Sequence, residues 1–189
     1  MPYDHTWIHD PALPPSVPPA FADALRTYVS ETNKTANAWS RVTDSMLGYT
    51  PHADSSSVRA ILAHQILSER RFFAEFLGLD EPAPAELLPP GHAEKAAGVE
   101  SYMKRYIDLA AARLPQLVAG DEAWWLAEAD FFGVPRTRAW VFWRRVLHTA
   151  HHRTQILVYL RLAGEKVPAT YGPSGDETWD GADPTLTAD

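Results

Sequence analysis

Apolar residues recur every three or four positions in four long segments of this chain, the spacing of one buried face of an α-helix. The first predicted helix covers roughly residues 17–47, with Ser16 as a candidate cap and prolines suited to the first turn. The second begins after the serines at 55–57, which offer capping oxygens, and ends near Gly78. Both segments therefore predict helices longer than five turns.

Two further helices follow in the second half of the chain. The third is predicted from about 93 to 114, where Pro115 ends or kinks it. The fourth is predicted from a cap at Thr137 through Leu162, and Gly164 is its stop signal.

The remaining segments contain no alternating pattern of the kind that predicts strands. Residues 1–16 form a proline-rich arm that we expect to be extended, and residues 165–189 an irregular tail. A long connection rich in proline covers 79–92, and 116–136 shows no clear pattern. We therefore predict an all-α four-helix bundle with a long connection between helices 2 and 3, in one domain over 1–189.

Composition excludes several classes of function. The 17 basic and 24 acidic residues leave a formal charge of −7, which argues against nucleic acid as a partner. The chain has no cysteine, so it offers no disulfide, thiolate ligand or cysteine nucleophile. No apolar run is long enough for a membrane span, and the first residues lack a signal-peptide pattern. We expect a cytoplasmic protein that acts on a small molecule.

Three of the eight histidines lie in strong helical segments. His148 and His152 are four residues apart, so a helix places both imidazoles on one face, where they can bind one ion. His64, in the second helix, is the candidate third ligand, since its helical neighbours are uncharged. The alternative is that these are core histidines bonded to protein groups, without a metal.

The other histidines have weaker contexts. His5 and His9 share the spacing of four but precede any helical signal, and His52 and His92 lie beside prolines in loops, where we expect solvated side chains. His151 is a candidate fourth ligand beside His152.

The stretch from His148 to Gln155 reads H-T-A-H-H-R-T-Q. It resembles the H-x-x-x-H-R-x-Q signature of the DinB/YfiT-like family of metal-binding proteins, which is distinct from the DNA polymerase called DinB. The following helix end, with Gly164 and Pro168, and the position of His64 also resemble this family. One departure is Thr154, which stands where glycine is common in the family.

The resemblance implies a four-helix bundle, often a homodimer, with one divalent ion held by three histidines. It implies His64, His148 and His152 as the metal ligands. It also implies thiol-linked chemistry, such as transfer to bacillithiol or isomerisation that depends on mycothiol. We expect zinc or nickel, with iron, manganese or copper as alternatives, because imidazole ligands suit all of these metals.

Three neutral ligands leave the charge of the ion uncompensated and its other coordination positions open, which favours a catalytic site and an anionic ligand such as a thiolate or a carboxylate. Arg145 and Arg153 would add positive potential if they point inward. Because the chain has no cysteine, any reacting thiol must arrive as a substrate.

No residue is clearly selected as the acid or base. A zinc-protease motif would need glutamate at the position of Thr149, which argues against metalloprotease activity. Gln155, Arg153 and Glu69 are the catalytic candidates, with Glu75 as a further carboxylate. Gln155 lies one turn from His152 and suits a hydrogen bond to that ligand.

The aromatic residues are predicted to pack rather than to react. We assign to the core Trp140, Trp143, Phe72, Phe73 and Phe76. Trp124 and Trp125 are expected in the core or an interface, with a pocket mouth as the alternative.

Two functions fit these observations. The first is a metal-dependent transferase, isomerase or hydrolase that uses a small thiol or anion. The second is a non-enzymatic, stress-related protein that binds a metal or ligand. A site closed by His151 or Glu69 would favour the second.

Overall fold

The computed structural model describes residues 8–9, 11–15 and 17–178. The elements in chain order are α1 (Pro19–Ser40), α2 (Val58–Arg70) with a π-helical continuation (Arg71–Phe76), α3 (Val99–Val118), a short α4 (Glu122–Leu126), β1 (Glu128–Phe131), β2 (Val134–Thr137) and α5 (Arg138–Leu162). Two 3₁₀ turns cover Asp44–Gly48 and Pro84–Glu86. The four long helices confirm the predicted bundle, and the long connection between the second and third helices is present.

Helix α1 lies at the centre of the bundle. Every residue from Tyr28 to Trp39 is buried, although seven of these residues are polar or charged. One side of α1 packs against α3 and α5. Segments outside the helices cover the polar side, since the backbone of Ile8 bonds the Asn33 side chain and Tyr171 donates to Glu31 at 2.5 Å.

The first helix ends seven residues earlier than predicted, at Ser40 rather than 47. Asp44 accepts a hydrogen bond from the Val99 backbone N–H at 2.8 Å, so its side chain caps α3. A Cβ at Gly98 would lie 2.9 Å from this carboxylate, which explains the glycine at this position. The start of α3 is thus set by a residue more than fifty positions away, and not by the local pattern that predicted a start near 93.

Pro115 neither ends nor interrupts α3, which continues to Val118. A proline removes one backbone donor, and the carbonyl that would have received that bond belongs to Ala111, an exposed residue that water can reach. The expectation that the helix stops at 114 is therefore wrong.

A two-stranded antiparallel hairpin occupies part of the segment that showed no clear pattern. Phe132 and Gly133 form its turn, with φ of 55° and 80°, which are values of a tight two-residue hairpin turn. The strand sequences E-A-D-F and V-P-R-T alternate too weakly to be predicted. β2 leads directly into α5, whose predicted cap is confirmed because Thr137 accepts from the Trp140 backbone N–H.

The tail has no helix or strand over residues 165–178 and is held to the bundle by ion pairs. Arg161 binds Asp176 at 2.5 Å and Arg41 binds Glu177 at 2.7 Å. Several predicted features lie outside the described residues. They are residues 1–7 with His5, the candidate cap Ser16, and residues 179–189 of the tail.

The predictions for the aromatic residues are confirmed in part and wrong in part. Phe72, Phe73, Phe76 and Trp125 are buried as expected, and Trp124 is partly buried against Trp125. Trp140 and Trp143 were expected in the core, but 42% and 41% of their surface is exposed. They lie on the outward side of α5, where Val141 and Phe142 take the inward positions.

The carboxylate of Glu69 joins three helices inside the bundle. It accepts from Arg113 of α3 at 2.5 Å, from Arg145 of α5 at 3.0 Å and from Thr149 at 3.3 Å. Arg113 also binds Glu81, at the start of the long connection. All four charged side chains are at most 2% exposed, so each charge depends on the others for compensation.

Within the described residues, no helix is long and apolar enough to cross a membrane.

We expect Glu69→Gln to lower the free energy of unfolding by about 3–5 kcal/mol, because it leaves two buried guanidinium groups undercompensated. Glu75→Gln is the matched control, since Glu75 also pairs with arginines but is 46% exposed, and we expect a change of about 0–1 kcal/mol. Urea unfolding measures both variants. Equal losses of stability would contradict the role given to Glu69.

Candidate metal centre

Helices α2 and α5 bring three histidines together. The Nε2 atom of His148 lies 3.4 Å from Nε2 of His64 and 3.2 Å from Nε2 of His152. All three side chains offer nitrogens within 4.8 Å of one another. The structure thus places the three predicted ligand residues in one cluster, which we call the histidine triad.

Polar contacts between α2 and α5 set the register that forms the histidine triad. Gln65 donates to the Thr149 carbonyl at 3.2 Å, and Arg145 donates to Ser68 Oγ at 2.8 Å and to Gln65 Oε1 at 2.8 Å. Gln65, Ser68, Arg145 and Thr149 lie within four positions of His64 or His148 in sequence, but their side chains face the interior. Sequence reasoning missed Gln65 and Ser68, and the available signal was a pair of polar residues on the predicted core side of the second helix.

The histidine triad lies at the surface. His64 is exposed, while His148 and His152 are half-buried. Although the helical neighbours of His64 are uncharged, its ring is exposed and lies against the rings of His148 and His152. A small molecule in solvent can therefore reach the three nitrogens.

Two neighbours determine which ring nitrogens carry protons in this arrangement. Arg145 lies 2.7 Å from Nδ1 of His148, and a guanidinium only donates, so this Nδ1 accepts. Gln155 Oε1 lies 2.6 Å from Nδ1 of His152 and accepts its proton. Neutral His148 therefore carries its proton on Nε2 and donates it to Nε2 of His152.

The surroundings favour neutral imidazoles. Burial, followed by the charge of Arg145, lowers the pKa of His148 to about 3. The same two causes lower the pKa of His64. Burial also lowers the pKa of His152, against the hydrogen bond to Gln155. At neutral pH the triad is thus uncharged, as metal ligands must be.

The donor set fits one divalent ion. Three nitrogens bound tetrahedrally at about 2.0–2.1 Å lie roughly 3.3–3.4 Å apart, close to the two distances between the Nε2 atoms. His152 already has the arrangement usual for a ligand, because its other nitrogen donates to an acceptor. His148 does not, because its Nε2 carries the proton. To bind an ion through Nε2, that proton must move to Nδ1 and the hydrogen bond from Arg145 must break.

The structure places the other candidates differently. Glu69 is fully engaged in the buried ion pairs and does not reach the triad. Arg153 points to α1, where it binds Glu31 at 2.7 Å and the Tyr171 hydroxyl at 2.7 Å. Of the two arginines expected to add positive potential, only Arg145 faces the triad. Glu75 pairs with Arg70 and Arg71 at the surface.

The described residues contain no fourth histidine or carboxylate in the cluster. His151 is exposed and only its ring edge meets His152, at 4.9 Å between centroids. His9 and His52 are exposed, as expected. His92 differs from the expectation, because it is half-buried with Nδ1 2.6 Å from the Tyr102 hydroxyl.

A cavity of about 760 Å³ lies elsewhere, between the long connection and α3. Its lining includes His92, Ser101 and Arg105 but none of the histidine triad. Arg105 is bonded there to the Leu87 carbonyl. We place the candidate chemistry at the triad, because convergent ligand atoms identify a reactive site more directly than volume does.

We expect different tautomers of His148 and His152 in the metal-free protein at neutral pH. Long-range nitrogen–proton correlation spectra should show His148 protonated on Nε2 and His152 on Nδ1, because Arg145 only donates and the Gln155 carbonyl only accepts. Spectra of His148→Gln and His152→Gln assign the signals. A proton on Nδ1 of His148 would contradict the arrangement.

The comparisons with known proteins agree with this fold. A crystal structure of a DinB-like protein from Bacillus cereus ATCC 10987 has a TM-score of 0.64 and 20% identity, covering 78% of this chain and 95% of that one. A DinB-like protein, YjoA, from Bacillus subtilis has a TM-score of 0.58 and 19% identity, covering 79% and 97%. At these identities the likeness concerns the fold alone, and curated proteins give no match.

The sequence also matches a family model directly. The model described as the DinB family covers residues 19–181, which include all four long helices and the histidine triad. With the fold and the sequence in agreement over most of its length, the chain belongs to the DinB family.

Proposed function

We propose that this protein is a metal-dependent enzyme in which His64, His148 and His152 hold one divalent ion, and that it acts on a small thiol or anionic substrate. The observation that carries the proposal is the convergence of three imidazoles at the protein surface. Transferase, isomerase and hydrolase chemistry are all compatible with such a site.

When bound, the ion supplies Lewis acidity that lowers the pKa of a coordinated thiol or water. The protein residues orient the ligands and set the charge around them. Gln155 orients His152 through the hydrogen bond to Nδ1, and Arg145 adds positive charge beside the triad. This charge favours an anionic ligand. Because the chain has no cysteine, the reacting thiol comes with the substrate.

A non-enzymatic metal- or ligand-binding protein is the alternative. A closed site with a fourth protein ligand would support it. The described residues offer no such ligand, since Glu69 is engaged elsewhere and His151 lies outside the cluster. Because solvent reaches the triad, we favour the enzymatic function over the non-enzymatic alternative. Zinc or nickel is the expected ion, with iron, manganese and copper as alternatives.

A homodimer is also part of the proposal, on the family resemblance. The C-terminal half of α5, several turns beyond His148, exposes apolar side chains that a second copy can cover, Val158 and Leu162. Cytoplasmic location stays a prediction from the sequence.

We expect the chelator-treated protein to take up one cobalt(II) ion per chain. The visible absorption of cobalt and elemental analysis measure the uptake. His64→Ala and His148→Ala should abolish it while leaving the helical circular dichroism largely unchanged, because each removes one of three ligands.

His151→Ala is the matched control, since His151 is exposed beside His152 but lies outside the triad. It should bind cobalt like the wild type. Unchanged uptake in His64→Ala would refute the ligand assignment, and lost uptake in His151→Ala would indicate a closed site.

A thiol should bind the cobalt form directly. We expect 2-mercaptoethanol to produce an intense sulfur-to-cobalt charge-transfer band, because a thiolate neutralises part of the charge that three imidazoles leave. The oxygen analogue ethylene glycol is the control and should produce none. A spectrum that stays the same across several thiols would contradict thiol-linked chemistry while leaving the metal site intact.

A further inference from the structure

One row of side chains on α5 continues from the triad toward the hairpin. Trp140, Arg144, His148 and His152 are each four residues apart, so they lie along one helical ridge with about 6 Å between successive positions. The two histidines are half-buried, while Arg144 and Trp140 are exposed. The ridge thus runs from the candidate metal centre onto open surface.

Arg144 is the charged member of this ridge. Among the described residues it forms no ion pair or hydrogen bond, in contrast to the buried Arg145 beside it. Within the described part of the chain Arg144 is therefore an unpaired cation four positions, or about one helical turn, from His148.

Aromatic rings lie between the triad and the hairpin; Phe131 and Trp140 expose part of their surface, while Phe72 is buried. The Phe72 ring is 6.1 Å from the His148 ring and 5.7 Å from Phe131, whose ring is 5.2 Å from Trp140. We call these three rings (Phe72, Phe131, Trp140) the aromatic cluster. The hairpin supplies Phe131, and the Thr137 cap fixes the start of the helix that carries Trp140.

Nearby acidic groups do not neutralise Arg144. Glu75, on the π-helical turn after α2, pairs with Arg70 and Arg71, and the Asp130 carboxylate accepts from the Gly133 backbone N–H. Arg136 of β2 stacks over Trp140 at 5.4 Å and adds another positive charge. Arg136 and Arg144 are thus two positive charges near Trp140 in a chain whose net charge is −7.

We propose that Arg144 and the aromatic cluster form a substrate subsite beside the triad, in which the guanidinium binds a carboxylate and the rings bind an apolar end. The substrate class is a small molecule with an apolar or aromatic end, an anionic group, and a reactive group within about one helical turn, or 6 Å, of that anion. The inference rests on the proposed function, because it takes the triad as the reactive centre.

The test compares 3-phenylpropanoate with 3-phenylpropanamide, which have the same ring and chain length but differ in that the amide carries no charge. Tryptophan fluorescence and NMR line shifts measure their dissociation constants. The acid should bind more tightly than the amide by about fivefold, the factor of an exposed ion pair. Propanoate, which lacks the ring, should bind more weakly than 3-phenylpropanoate.

Arg144→Gln should abolish the preference for the acid. Arg136→Gln, which removes an equal charge from the neighbouring strand, is the matched control and should keep that preference. Both chelator-treated and zinc-treated protein are measured, so a failure of metal uptake leaves this readout intact and the two proposals fail separately.

Three results would overturn the subsite. They are an absent acid preference in the wild type, a preference that survives in Arg144→Gln, and a preference lost only in Arg136→Gln. Light scattering on the same samples can give a fourth contradicting result. If the protein is a dimer and Trp140→Glu converts it to a monomer, a second copy covers this face.

Discussion

The buried carboxylate of Glu69 is the interaction on which the candidate site depends. It binds Arg113 of α3 and Arg145 of α5, so one side chain of α2 links three helices. Arg145 in turn holds Nδ1 of His148 and meets Gln65 and Ser68 of α2. A buried charge needs nearly complete compensation, which allows few relative positions of the helices. The register that satisfies Glu69 is the register that brings His64 to His148.

The same network explains why the carboxylate near the triad is unsuited to acid–base work. Its negative charge compensates two guanidinium groups inside the bundle, and solvent does not reach it. The triad is left with Arg145 on one side and the amide of Gln155 on the other. Arg145 is therefore the charged side chain in direct contact with the triad.

Helical periodicity was sufficient to predict the four long helices and the pair His148 and His152, because core-facing residues and ligands on one helix obey local spacing. His64 was selected because it is the other histidine in a strong helical segment. Periodicity was insufficient wherever a distant partner decides the outcome. Asp44, which the pattern placed in the first helix, caps α3 instead, and polar residues of α1 are buried because the tail and the arm cover them. The hairpin was missed because its strands of four residues barely alternate. Trp140 and Trp143 were misplaced because apolar character alone does not tell which side of a helix faces the core.

The central claim is that the three histidines hold one divalent ion. Anomalous diffraction from crystals grown with zinc tests it most directly, because the signal locates the metal atom itself. The account predicts one peak per chain within about 2.0–2.1 Å of Nε2 of His64, His148 and His152. Zinc peaks at other histidines such as His9 or His52, with none at the triad, would contradict it.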